Sequence, residues 1–517
     1  MTRLSDVVKY TRSTILKPVS PLTRANLWFL VGVLLVVAWG SIPMLNADAL
    51  WFDEWWSLFN AGGVSYEGVP LAQPLSLLEI WRQIKAVDPI HPPGYSFLLA
   101  TWNALTGWSP FSGRTLSFLL GVLSVAMIYR AGRTLFGHSV GLWAAVILAT
   151  SAFYRHYWHE MRMYTLLVGL HAVVLWAYWQ VMVRRPHIWA LLALVVGMAG
   201  LVYTQYLTVL ALVPLGLFHL VWGKKGRAWW VVNGLGLVAV ALYLPWVEVA
   251  LGMFTAVNGG STRDGVFTTA HILEQALAIA SQGKGWAILA PLVLASLWAR
   301  GRAAAWIIGS WLVTLLLLLL INARTGMFIH IRYVLVDWVP LCLVLGLGAE
   351  QLKRWGIPAW LVVLVWAGAG LWGYPQFEAS YNRDARWTLP WSGIVATLAP
   401  RVVADDVALV HVPAPLLHWT QERIAPYYTH SLGIPVLPTP LRLPLARTDW
   451  IGQIGPAERV WQLYATDTTP HGYSELQAVL GERYEYCGEV QGVAGIHIDL
   501  YAKTMGQCEP SFYTITP

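Results

Sequence analysis

Eleven apolar runs constrain this chain more than any other feature. They fall near 27–45, 114–130, 139–155, 161–183, 188–204, 206–222, 229–250, 286–299, 304–321, 332–349 and 358–374. A helix of about 20 apolar residues matches the roughly 30 Å hydrocarbon core of a bilayer. Composition agrees: 57% of the 517 residues are hydrophobic and only 12% are charged, where soluble proteins carry about 25% charged residues. The 31 tryptophans suit membrane–water interfaces. A disordered chain, a collagen, a disulfide-stapled mini-protein and an ordinary cytosolic enzyme are excluded. The expected fold class is a polytopic α-helical membrane protein with about 11–13 transmembrane helices.

Charge sets the orientation. Residues 1–374 carry 25 Lys and Arg against 13 Asp and Glu, whereas residues 375–517 carry 9 against 14. The net charge of +7 therefore reflects loops between apolar runs and does not point to nucleic acid. Arg3, Lys9, Arg12, Lys17 and Arg24 precede the first run, which lacks a small-residue cleavage site and reads as an uncleaved anchor. With the N-terminus in the cytoplasm, the inner loops hold Arg130/Arg133, Arg184/Arg185, Lys224/Lys225/Arg227, Arg300/Arg302 and Lys353/Arg354. Only Asp6 and Glu350 offset them, as the positive-inside rule requires. The stretch Gly94–Trp108 is short for a crossing, and counting it as one would invert every later loop; it reads as a re-entrant or interfacial helix on the outer face. The expected location is the cytoplasmic (inner) membrane.

Odd parity puts residues after about 375 outside. Segments 405–413, 458–466 and 495–503 look like strands and 472–484 like a helix, a small extracytoplasmic α/β domain. The expected division is 1–374, transmembrane, and 375–517. Cys487 and Cys508 would lie in an oxidising compartment and could pair, and Cys342 sits in an apolar run. No thiolate metal cluster is expected.

The outer loop 46–93 is long, and long loops are usually functional. It contains Trp51-Phe52-Asp53-Glu54-Trp55-Trp56, and Asp53 suits a general base. Asp88-Pro-Ile-His91-Pro92-Pro93 follows at the same face. A turn outside the membrane carries Arg155, His156, His159, Glu160, Arg162 and Tyr164, a charge density that calls for a polar cavity. Arg324, His330, Arg332 and Tyr333 are outer-face cations and neighbours that fit a lipid phosphate or ordinary headgroups. His171, within a run, reads as a core residue, and Asp337 is expensive in its run unless paired. Carboxylates and cations gathered at an outer bilayer surface suit transfer of a group from a lipid-linked phosphate. No P-loop, dinucleotide fingerprint or serine elbow is present.

At these residues the chain resembles the GT-C superfamily of integral-membrane glycosyltransferases, in the branch of protein O-mannosyltransferases and the lipid A aminoarabinose transferase. The resemblance is carried by FDEWWSLFNAG (52–62), HPPGYSFLLATWNALTG (91–107), GRTLSFLLGVLSVAMIYRAGRTLFG (113–137), YRHYWHEMRMYTLL (154–167) and IRYVLVDWVPLCLVLGLG (331–348). It implies an inverting transferase using a polyprenyl-phosphate sugar donor, with Asp53 as catalytic base. Glu54, His91, Glu160, Arg162, Tyr164, Arg332 and Tyr333 would contact substrate, the last pair approaching the donor phosphate. The acceptor hydroxyl would belong to a lipid, polysaccharide or protein. No metal is obligatory in this group. The alternative reading is a transporter or flippase of a lipid-linked sugar, which would need a midplane polar path and inverted repeats; the run centres are mostly free of charge and no repeat is evident.

Overall fold

A computed structural model describes residues 21–47, 49–184, 186–258, 268–283, 286–326, 328, 330–385, 389–411, 423–438, 454, 457–465, 477–490, 493 and 496–508. Each of the eleven apolar runs is helical. Among the described residues, six helices are long and apolar enough to cross a bilayer: Leu27–Asn46, Pro110–Phe136, Tyr164–Met182, Arg227–Met253, Arg302–Thr325 and Ile331–Arg354. Shorter apolar helices cover His138–Thr150, Ile188–Thr204, Tyr206–Trp222 and Ala287–Ser296. The basic N-terminal residues Arg3, Lys9, Arg12 and Lys17 lie outside the described residues.

The chain divides into two compact units. One comprises Met1–Ile42, Phe118–Trp158 and Tyr164–Tyr374; the other comprises Pro43–Ser117, His159–Met163 and Pro375–Pro517. Among the described residues the regular elements of the first are all helices. Its most buried helix follows a short 3-10 entry, Ile331–Asp337, and runs as Trp338–Arg354 against His138–Thr150 and Trp286–Ser296. Gly348 allows this approach, since a Cβ there would stand 1.8 Å from the carbonyl oxygen of Leu292. His171 is buried with Nδ1 3.1 Å from the Val336 carbonyl, the core residue its sequence position suggests. Arg155 is buried with its guanidinium 3.9 Å from the ring centroid of Tyr374.

The second unit opens with three helices. Phe52–Asn60 buries Trp55 and Phe59, stacked at 5.4 Å. Leu77–Val87 starts on a Ser76/Glu79 capping box and buries Ile80 and Ile84. Gly94–Thr106 follows the Pro92-Pro93 pair, which stiffens its entry. At about 1.5 Å per residue it is roughly 20 Å long, too short to cross alone.

The tail forms a five-stranded sheet ordered β2-β1-β3-β5-β4: β1 Asp406–His411, β2 Val436–Pro438, β3 Arg459–Ala465, β4 Glu485–Glu489 and β5 Ile496–Ala502. β1 runs parallel to β2 and β3, and β5 is antiparallel to β3 and β4. The three central strands are those expected from their apolar runs. β2 and β4 are edges of three and five residues with no such run. Residues 477–481 of the expected helix are helical, and 472–476 lie outside the described residues. Cys487 and Cys508 form a disulfide.

Where β1 and β3 pair, Asp406 accepts from Arg459 Nε at 2.9 Å and Nη2 at 2.7 Å and from Trp461 Nε1 at 2.8 Å. Removing one member of a buried ion pair strands the other, at about 3–5 kcal/mol. Asp406→Ala in the full-length, detergent-solubilised protein should therefore lower the thermal midpoint of the tail, read by its protease resistance on heating. An unchanged midpoint would show that Arg459 finds another partner.

Candidate active site

Helix Phe52–Asn60 carries two acids in its first turn, where the N-terminal dipole favours them. About 100° apart on the helix, they have different neighbours. Glu54 is fully buried and accepts a two-point bond from Arg114, 2.8 Å from Nε and 2.6 Å from Nη2. Its Oε1 also accepts the Met161 amide at 2.9 Å. Arg114 further donates to the carbonyls of Leu45 and Ala49. Glu54 thus ties the helix to the start of Pro110–Phe136 and to the turn 159–163. Gly113 keeps that junction tight, because a Cβ there would lie 2.0 Å from Met161 Sδ.

Asp53, Ser57 and Asn60 recur at helical spacing and form one polar stripe. Arg162 covers its upper part: Nη1 donates to the Asp53 carbonyl at 3.1 Å and to Ser57 Oγ at 3.2 Å, and Nη2 stands 3.7 Å from Asp53 Oδ2. Asn60 donates to Asp88 Oδ2 at 2.6 Å. His91 links the two ends, with Nε2 3.0 Å from Arg162 Nη2 and Nδ1 3.6 Å from Asp88 Oδ2. A guanidinium only donates, so Nε2 must be the acceptor and the ring proton sits on Nδ1, toward Asp88. The set reads Asp53, Arg162, His91, Asp88, Asn60. Asp53 is 8% exposed and Arg162 4%, so their interaction is little screened by water.

Tyr95 supports the turn from below. Its hydroxyl meets Ser117 Oγ at 3.2 Å, and Ser117 Oγ donates to the Arg162 carbonyl at 3.3 Å. Burial pushes the Tyr95 phenol well up, out of the range of a working acid or base. Glu160 is buried in the same turn, and His159 Nε2 stands 3.3 Å from Glu378 Oε2. The tail reaches this region too. Tyr428 Oη accepts the Leu50 amide at 2.7 Å, Tyr427 Oη donates to the Trp108 carbonyl at 3.1 Å, and the Arg423 guanidinium lies 3.7 Å from the Tyr66 ring centroid.

Of the residues expected at the site, Asp53, Glu54, His91, Glu160 and Arg162 lie in this unit, and all but Glu160 are joined by the contacts above. In the other unit Arg332 and Tyr164 are both buried, the guanidinium 6.0 Å from the ring centroid, while half-buried Tyr333 packs on Phe328 at 4.8 Å. Sequence reasoning missed Arg114, Asp88 and Asn60. Arg114 was visible as a lone cation at the head of an apolar run, and Asp88 as an acid three residues before His91.

Residues 90–252 match the family model described as dolichyl-phosphate-mannose-protein mannosyltransferase. No curated protein matches the chain. ArnT from Cupriavidus metallidurans, bound to undecaprenyl phosphate, is similar with a TM-score of 0.61 at 15% identity, over 94% of this chain and 99% of that one. Its apo state gives 0.59 at 14% identity over the same shares. The mycobacterial arabinofuranosyltransferase AftD gives 0.53 at 17% identity, over 91% of this chain and 39% of that one. This chain shares the fold of ArnT over nearly its full length. Its own long apolar helices make it an integral membrane protein. On this framework the buried set Asp53, Arg162, His91 and Asp88 is the candidate active site.

Replacing Glu54 by Gln should uncouple Arg114 and destabilise the full-length protein by about 3–5 kcal/mol, the cost of stranding a buried charge. Thermal unfolding in detergent checks it. Glu54→Gln unfolding at the wild-type midpoint would mean that the pair contributes nothing to docking the turn.

Proposed function

We propose that the protein is an inverting glycosyltransferase. It moves a sugar from a polyprenyl-phosphate-linked donor to an acceptor hydroxyl at the outer face of the cytoplasmic membrane, with the N-terminus inside and the tail outside. The observation that carries this reading is Asp53, nearly buried and held 3.7 Å from Arg162 on a GT-C framework.

The chemistry follows from those groups. Asp53 accepts the proton of the acceptor hydroxyl as its oxygen bonds to the anomeric carbon of the sugar. The bond from that carbon to the phosphate oxygen breaks on the opposite face, and the electron pair leaves with the phosphate. Arginine stabilises the departing charge better than lysine, because its planar fork matches phosphate oxygens. Arg332, with Tyr333 beside it and Tyr164 against its guanidinium, is the proposed contact to the donor phosphate. Arg162 orients Asp53 through the backbone and Ser57, and His91 and Asp88 fix Arg162. Glu160 is assigned to shaping the sugar pocket. Glu54, whose two oxygens are already occupied by Arg114 and Met161, is assigned a supporting role.

Asp53→Asn keeps the shape and removes the base. In membranes supplied with polyprenyl-phosphate sugar it should lower transfer at least about 100-fold, the usual contribution of a general base. Near wild-type transfer by folded Asp53→Asn would refute the base assignment. Because arginines supply the positive charge, we assign no obligatory metal. Transfer measured after exhaustive chelation should stay within about twofold of the untreated rate, and a loss restored by a divalent cation would overturn that assignment.

A further inference from the structure

Helices Val209–Trp222 and Arg227–Asn258 are consecutive and joined by residues 223–226, yet they do not pair. The first packs on Arg302–Thr325 and the second on Ile188–Thr204. Their divergence opens a cavity of about 790 Å³ lined almost entirely by apolar side chains, among them Leu212, Leu215, Leu237 and Val240. The space is an open groove, with Leu237 and Val240 both exposed along it, and its apolar walls give water no partners. Lining residues run from Tyr206 to His219 along one wall, about 20 Å at 1.5 Å per residue, or most of a bilayer's hydrocarbon core of roughly 30 Å. The shape is a slot for an alkyl chain.

One end of the slot is polar. Asn233 Nδ2 lies 3.0 Å from His219 Nε2, and His219 Nδ1 lies 3.2 Å from the Tyr178 hydroxyl. The His219 ring stacks on Trp229 at 5.2 Å, and Lys225 Nζ sits 4.9 Å from the Trp229 ring centroid. Lys224 and Lys225 on the connector and Arg227 at the start of the next helix are all exposed. No Asp or Glu occurs anywhere in residues 161–247, so the local sequence offers these cations no counter-charge. An alkyl slot ending at three cations is complementary to one kind of membrane component.

We propose that the slot binds an anionic phospholipid, one acyl chain filling the gap between the two helices and the headgroup phosphate meeting Lys224, Lys225 and Arg227. This site is separate from the donor assignment above and uses none of its residues.

The test is native mass spectrometry of the full-length protein in mild detergent, titrated with phosphatidylglycerol or phosphatidylcholine. One retained phosphatidylglycerol per chain is expected, preferred over phosphatidylcholine by about fivefold or more, since each surface cation contributes about that factor. Gly216 and Gly236 both line the slot, and a Cβ at either meets open space. Gly216→Leu combined with Gly236→Leu should fill the slot and abolish retention. Gly309→Leu, also in open space but not lining the slot, should keep it. Lys224→Gln with Lys225→Gln and Arg227→Gln should equalise the two lipids, and this surface variant decides the matter if the filled variants fail to fold. No retained lipid, equal binding to the wild type, retention in the filled variant, or displacement by equimolar undecaprenyl phosphate would overturn the proposal.

Discussion

The Glu54–Arg114 ion pair is the interaction on which the candidate site depends. Both partners are buried, at 0% and 2% exposure of their side chains, and their charges are offset by two parallel hydrogen bonds, a backbone amide and two carbonyls. Such a pair is poor at adding net stability but strict about geometry, because any misfit leaves a bare charge in a low-dielectric interior. It joins three segments distant in sequence: the helix bearing Asp53, the start of Pro110–Phe136 and the turn bearing Arg162. With those fixed, the Asp53 side of the same helix turn has one orientation, toward Arg162. Adjacent acids on one helix thus turn to different partners, Glu54 to Arg114 and Asp53 to Arg162.

Rigidity continues through the polar stripe. Arg162 is not left to find Asp53 by rotamer search; its guanidinium is held at the Asp53 carbonyl, at Ser57 and at His91. His91 in turn faces Asp88, which Asn60 holds from the far end of the same stripe. The network closes on the helix where it began. Closed networks of buried polar groups lose little entropy when a ligand arrives, which is the physical meaning of preorganisation.

Much of this was legible in the sequence, for physical reasons. Apolar runs report burial in lipid or protein alike, so all eleven marked helices. They did not report length, and the runs at 139–155, 188–204, 206–222 and 286–299 form helices shorter than those of the six long spans. The acids at 53 and 54 stood out by their aromatic setting, but their opposite orientations depend on helical phase against partners 60 and more residues away. Arg114 and Asp88 stood in plain view in the sequence, but nothing local named their partners: Glu54 lies 60 residues from Arg114 and Asn60 lies 28 from Asp88. Strands β1, β3 and β5 were visible because both faces are covered. The edges β2 and β4 were not, since a short strand with one open side has no continuous apolar signature.

The bond from the Leu50 amide to the Tyr428 hydroxyl joins residues 378 positions apart. Leu50 stands just ahead of the helix that bears Asp53, so the partner that caps this approach leaves the ribosome long after the helix itself. At roughly 5–20 residues per second of synthesis, the wait is on the order of tens of seconds. Throughout that interval the nascent chain can be threaded into the bilayer while its candidate site is still missing a neighbour. Assembly of the centre is therefore among the last events of biogenesis, and a truncated chain can be inserted without being finished.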